Sequence, residues 1–155
     1  MKLIGRRTRV PNELLVATEQ SLSQSYPAVA GSVPRARNDV VEFAAMRGTP
    51  EPQLEAIRLA VSEAVSNAVI HAYEGGRGRG RGRSGGRIHI TAEIAARELW
   101  ILISDEGRGF QAPAHNPGLG WGLPLIAHMS DRLEIAERAE GGTEIRMRFP
   151  IEPEG

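Results

Sequence analysis

Asp105-Glu106-Gly107-Arg108-Gly109 places a carboxylate and two alternating glycines directly after the apolar run Leu99–Ser104. An aspartate at a strand end is an acceptor suited to an exocyclic amine or a ring N–H, and glycines beside it let a ligand approach the backbone. Just downstream, Gly118-Leu119-Gly120-Trp121-Gly122 sets three glycines at alternate positions before a short helical stretch, Gly122–Met129. Backbone N–H groups exposed at such a helix start favour an anion. The sequence holds no Gly-Lys-Ser/Thr, so this is not a Walker loop, and the strand–glycine–helix–strand order of a dinucleotide fingerprint is missing. Glu63, Asn67 and His71 are spaced by four, which stacks a carboxylate, an amide and an imidazole along one flank of a helix. Each needs a partner there, since burial without one costs about 1–3 kcal/mol per group. Gly141-Gly142-Thr143 adds a third glycine element near the end of the chain. Taken one at a time, each of these fits a turn or a solvent-edge flank as well as a binding site.

The elements that must position these groups follow from periodicity. Leu54–Glu74 carries Leu54, Ile57, Val61, Ala64, Val65, Ala68 and Val69 at spacings of three and four, which predicts a long amphipathic helix packed on a core. Before it, Ser32 offers an N-cap, Pro34 falls in the first turn, and Val33, Ala36, Val40, Val41, Phe43 and Ala44 predict a helix up to Arg47 with Gly48 as its C-cap. Glu13–Leu22 alternates weakly and is a strand candidate, while Ser23–Gly31 reads as a loop. Arg87–Ala95 alternates Ile88, Ile90, Ala92 and Ile94 with His89, Thr91 and Glu93, and Leu99–Ser104 alternates Leu99, Ile101 and Ile103 with Trp100 and Leu102, which predicts a hairpin around Ala96-Arg97-Glu98; Arg132–Arg138 and Thr143–Phe149 predict a second around Glu140-Gly141-Gly142. The expected fold is a two-layer α/β sandwich, with helices on one face of a mixed, mostly antiparallel sheet.

The chain has 155 residues, 41% of them hydrophobic, which fits one domain with a sizeable core. The expected organisation is an N-terminal arm over residues 1–12 and one domain over 13–152. Formal net charge is zero, which gives no general attraction to nucleic acid or to an acidic membrane. Cysteine is absent, which excludes disulfides, thiolate metal sites and a cysteine nucleophile. No apolar run reaches membrane-span length, and the basic start MKLIGRRTRV lacks a signal-peptide core, so a cytoplasmic location is expected. Gly75–Gly86 is built from glycine, arginine and one serine; it is short and lacks aromatics, so it reads as a surface loop rather than a nucleic-acid tract.

In order along the chain, the motifs are E-x-x-x-N on a helix, D-x-G-x-G after a strand, G-x-G-x-G before a helix, and a terminal Gly-Gly-Thr hairpin. This set resembles the gyrase, chaperone, histidine-kinase and mismatch-repair ATPase superfamily, with its Bergerat nucleotide-binding fold, over Ser32 to Phe149. The stretch Ser62–Tyr73, ending Asn-Ala-x-x-His-Ala, is most similar to the anti-sigma-factor serine/threonine kinases. That resemblance implies ATP or ADP with Mg²⁺ as ligands, Asn67 as an oxygen ligand of the metal, and Glu63 as general base. It implies Asp105 as acceptor of the adenine amine, with Gly107 and Gly109 beside the ring and Thr143 supporting it. Gly118, Gly120 and Gly122 would hold the phosphates, and His71, Leu119 and Trp121 complete the nucleotide-binding set. The implied partners are a sigma factor and an anti-anti-sigma protein, and dimers are common in the family. Ala112–Pro117 departs from the pattern: His115 and Asn116 stand where some kinase members carry an arginine. Two other readings go with the same motifs. One is a nucleotide-sensing module without chemistry; the other is a detached ATP-binding domain serving a separate phosphohistidine protein.

Overall fold

The computed structural model describes residues 21–75, 86–106 and 122–152, with the backbone alone for 71–75 and 122–123. The elements run β1 (Ser21–Pro27), α1 (Ser32–Ala45), α2 (Glu51–Gly75), β2 (Arg87–Ala95), β3 (Glu98–Asp105), α3 (Gly122–Met129), β4 (Arg132–Glu137) and β5 (Thr143–Pro150). The strands form one sheet in the order β1-β2-β3-β5-β4. Its four strand pairings are all antiparallel, so the sheet expected to be mixed has no parallel pair among the described residues.

Alternation decides which face of the sheet is covered. Ile88, Ile90 and Ala92 of β2, Leu99, Ile101 and Ile103 of β3, and Ile145, Met147 and Phe149 of β5 are buried on the helix side. Ile57, Ala60, Val61, Ala64 and Val65 of α2 are fully buried against them, and Ala36, Val40, Phe43 and Ala44 of α1 and Ile126 of α3 complete the core. The opposite face carries ion pairs: Arg146 between Glu134 and Glu144, and Arg148 with Glu98 and Asp131, its guanidinium over the Trp100 ring. Such solvent-side pairs are worth about 0–1 kcal/mol each.

Several local expectations shift. The expected helix over Leu54–Glu74 forms, and it starts three residues earlier, at Glu51. Ser21–Pro27 is a strand where a loop is expected for most of its length; only Tyr26 in it is buried, so its polar sequence gives little apolar alternation. The first residues of the Glu13–Leu22 strand candidate lie outside the described residues, as do the 1–12 arm and nearly all of Gly75–Gly86. Ser32 is not the N-cap of α1. Gly31 occupies that position, while Ser32 lies inside the helix and its hydroxyl donates to the Pro27 carbonyl at 2.6 Å. α1 ends at Ala45 rather than Arg47 and its C-cap is Met46 rather than Gly48; Gly48 lies two residues further on, where its φ of +81° turns the chain and the Thr49 N–H returns to the Ala44 carbonyl at 3.2 Å. The β2–β3 hairpin turns on Ala96 and Arg97, both at positive φ, and Gly141 and Gly142 do the same between β4 and β5.

Candidate nucleotide site at one end of the sheet

Topology gathers the chemical groups at a single end of the sheet. Pro27 ends β1 opposite Arg87, and Ile88 pairs with Asp105, the last residue of β3. Ser104 pairs with Glu144, so one step further Asp105 and Thr143 lie at the same end. Helix α1 departs from that end, tied by Ser32 to Pro27. The turn at residues 46–50 then reverses the chain, and α2 packs back along α1. The C-terminal half of α2, with Asn67 and His71, therefore returns to the end that holds Asp105 and Thr143. β4 begins at the far end, where Arg132 pairs with Arg148, so α3 delivers the chain to that end. Helix α3 also packs against α2.

Side-chain direction follows from the pleat. Asp105 shares its face with Leu99, Ile101 and Ile103, and Thr143 shares its face with Ile145 and Met147, so both point into the helix–sheet layer. They are 5% and 4% exposed, values at which a carboxylate and a hydroxyl sit among core side chains. Asn67 is 8% exposed, and its amide has no hydrogen-bond partner among the described residues. Glu63, one helical turn earlier, is half-buried. Buried polar groups are held in native proteins by partners, so a polar group left for a ligand is the physical signature of a site.

Six of the expected site residues can be placed. Glu63, Asn67 and the backbone of His71 lie along α2; Asp105 ends β3, Thr143 starts β5 and Gly122 starts α3. Gly107, Gly109, Gly118, Leu119, Gly120 and Trp121 lie outside the described residues. The structure adds Arg138, which the sequence offers only as a strand end, and gives Gly142 of the Gly-Gly-Thr element a specific contact. Arg138 donates from Nη1 to the main-chain carbonyl of Asp105 at 3.2 Å, and Gly142 packs against the same carbonyl. The available signal for Arg138 was an arginine close before a Gly-Gly turn, which is too common to single out.

The residues present fit an adenine nucleotide with a hard cation. An amide oxygen suits such a cation, a buried carboxylate and a hydroxyl suit the polar edge of a base, and a helix start suits phosphate. Among the described residues there is no cluster of three or more His, Cys, Asp or Glu that could hold a metal by itself. No helix among those residues is long and apolar enough to cross a membrane.

The family model of the histidine kinase-like ATPase domain matches residues 26–149. Among solved structures, the RsbU and RsbW domains of Rv1364c from Mycobacterium tuberculosis share the fold with a TM-score of 0.63 and 23% identity, over 84% of this chain and 32% of that one. This chain thus spans about a third of the length of that structure. The catalytic domain of histidine kinase ThkA shares it with a TM-score of 0.51 and 13% identity, over 86% of this chain and 99% of that domain. No curated protein matches the sequence significantly. The chain belongs to the histidine kinase-like ATPase domain family.

Proposed function

We propose that this chain binds ATP and transfers its terminal phosphoryl group to a serine or threonine of an anti-anti-sigma protein, and that it restrains a sigma factor. The observation that carries the reading is the convergence of buried Asn67, Asp105 and Thr143 at one end of the sheet, with Glu63 one turn from Asn67. The likeness to a structure that contains an RsbW domain, together with the Ser62–Tyr73 motif, supports the choice of partners.

Asp105 accepts the hydrogen bond of the adenine amine, and Thr143 borders the base from the neighbouring strand. Gly118, Gly120 and Gly122 approach the phosphates. Asn67 offers its amide oxygen to Mg²⁺, which when bound neutralises phosphate charge. Glu63 takes the proton of the partner's hydroxyl as that oxygen bonds to phosphorus and the bond to ADP breaks. Positioning and charge stabilisation supply most of the acceleration in such transfers. The half-buried Glu63 leaves room for an acceptor hydroxyl to approach from solvent.

Calorimetry with ATP and with ADP, in millimolar Mg²⁺ and in EDTA, tests the binding. Metal-dependent heat with both nucleotides is expected, and silence with both ends the proposal. Incubation with Mg-ATP and a cognate anti-anti-sigma protein then tests the chemistry. Acid-stable phosphate on serine or threonine supports the kinase. Acid-labile phosphate on a histidine replaces it with the detached-domain reading, and binding without transfer leaves a nucleotide-sensing module.

A further inference from the structure

Gly142 has a φ of +95° and no space for a side chain. A Cβ there would collide with the main-chain carbonyl oxygen of Asp105 and lie 2.8 Å from its carbon and 3.1 Å from the Glu106 Cα. The obstacle is backbone, which cannot swing aside. The same Asp105 oxygen accepts the 3.2 Å hydrogen bond from Arg138 Nη1. Arg138 is in turn built into the turn that contains Gly142: its N–H donates to the Gly142 carbonyl at 2.9 Å, and its carbonyl accepts from the Gly141 N–H at 3.0 Å. Two groups of one turn thus converge on one peptide of a different strand. The last residue pair of the ladder between β3 and β5 is Ser104 with Glu144, one step short of Asp105.

We infer that Arg138 and Gly142 act as a clamp that aims the Asp105 carboxylate, and that Arg138 is thereby a positioning residue for base selection. The inference rests on the proposed role of Asp105 as reader of the adenine amine. A purine with a 6-amino group donates to a carboxylate, whereas one with a 6-oxo group presents an acceptor to it, so selectivity depends on where the carboxylate is held. A displacement of about 1 Å suffices to spoil such a contact. Arg138 suits the task because its guanidinium is always charged and its side chain is 28% exposed, which anchors it against the turn. Its other neighbour, Glu140, is 4.0 Å away and 91% exposed, too loose to direct it.

The test compares ADP, which has the 6-amino group, with IDP, which has a 6-oxo group, by calorimetry on the full chain in Mg²⁺. Thermal melts of every variant accompany it. Arg138→Gln is expected to weaken ADP about tenfold and IDP less than about twofold, so that the preference for the amine falls. Arg138→Lys, which keeps one charged donor, recovers part of the preference. Glu140→Gln leaves it unchanged. Arg138→Gln with the parent preference and a normal melt overturns the inference. If Arg138→Gln does not fold, Arg138→Lys decides alone: an unaltered preference in that variant overturns it, and an intermediate one upholds it. Failure of the parent chain to bind ADP at all refutes the nucleotide reading instead, which keeps the two outcomes apart.

Discussion

The phenol of Tyr26, 3% exposed, donates a 2.6 Å hydrogen bond to Oδ2 of Asp39 and so ties the edge strand β1 to the middle of α1. Burial, and then the bond to the Asp39 carboxylate, raise the Tyr26 pKa well above its ordinary 10.0. The folded protein therefore holds this proton more tightly than the unfolded chain. The stability it contributes is fully present below the ordinary value and is lost as pH rises through the folded one. Denaturant melts across pH are expected to show little change from this group up to about pH 10 and a decline above it. Tyr26→Phe should cost about 1–2 kcal/mol at pH 7, because it removes one bond to a charged acceptor, and should flatten the alkaline decline. A variant whose alkaline decline matches the parent's would show that Tyr26 is not its source.

Ala96 and Arg97 sit at φ of 51° and 61° in the two-residue turn between β2 and β3. Left-handed backbone is unfavourable for residues with a Cβ, by about 1–2 kcal/mol for an ordinary residue, and asparagine followed by glycine suits this turn better. The hydrogen bond from the Ile151 N–H uses only the Arg97 carbonyl, which any residue keeps. The double variant Ala96→Asn/Arg97→Gly should gain about 1 kcal/mol and raise the melting temperature by about 3 °C. Differential scanning calorimetry reads this directly, and a lowered midpoint would mean that the Arg97 side chain holds more than its backbone shows.

Part of this molecule could be read from its sequence, and the physical reason differs from element to element. Helix α2 buries one stripe of its surface, so the recurrence of Ile57, Val61, Ala64, Val65 and Ala68 announces it. The β2–β3 hairpin buries one face, so Ile88 and Ile90 alternate with His89 and Thr91, and Leu99, Ile101 and Ile103 recur at every second position. Strand β1 lies at the sheet edge and buries only Tyr26, which leaves Ser, Gln and Pro to give a loop-like impression. At the site, Asp105 and Thr143 carry polar chemistry at the ends of apolar strand faces, and Asn67 lies on a polar flank of an apolar helix; both contrasts are visible along the sequence. The contact between Gly142 and Asp105 is not, because it joins two strands whose adjacency is created by the crossover through α3 and β4.

Asp105 occupies a position where a neutral side chain of equal size would reverse the hydrogen-bond pattern. Asp105→Asn presents an N–H₂ group as well as an oxygen, so it can turn a donor toward a 6-oxo purine. Expected by calorimetry are ADP binding weaker by about tenfold or more and IDP binding equal to or better than the parent's. Since Asp105 is 5% exposed and faces the layer of Ile101 and Ile103, circular dichroism must show the fold intact in the same samples. A variant that folds and binds ADP as tightly as the parent would remove Asp105 from the base-reading role.

Glu63 and Asn67 are one helical turn apart on α2, yet they should separate binding from chemistry. Glu63 is half-buried and is the proposed general base, so Glu63→Gln, nearly identical in size, should retain nucleotide affinity within about twofold. Its phosphotransfer rate should fall by about 10²–10⁴-fold, the range for loss of a general base. Asn67 is buried with no hydrogen-bond partner for its amide among the described residues, so Asn67→Ala should remove little that holds the fold together. Its loss should instead appear as nucleotide binding that no longer responds to Mg²⁺, because the oxygen offered to the metal is gone. Parallel titrations with and without EDTA, with single-turnover transfer on the same preparations, distinguish the two. An unaltered transfer rate in Glu63→Gln would reject the base assignment, and a preserved Mg²⁺ response in Asn67→Ala would reject the metal ligand.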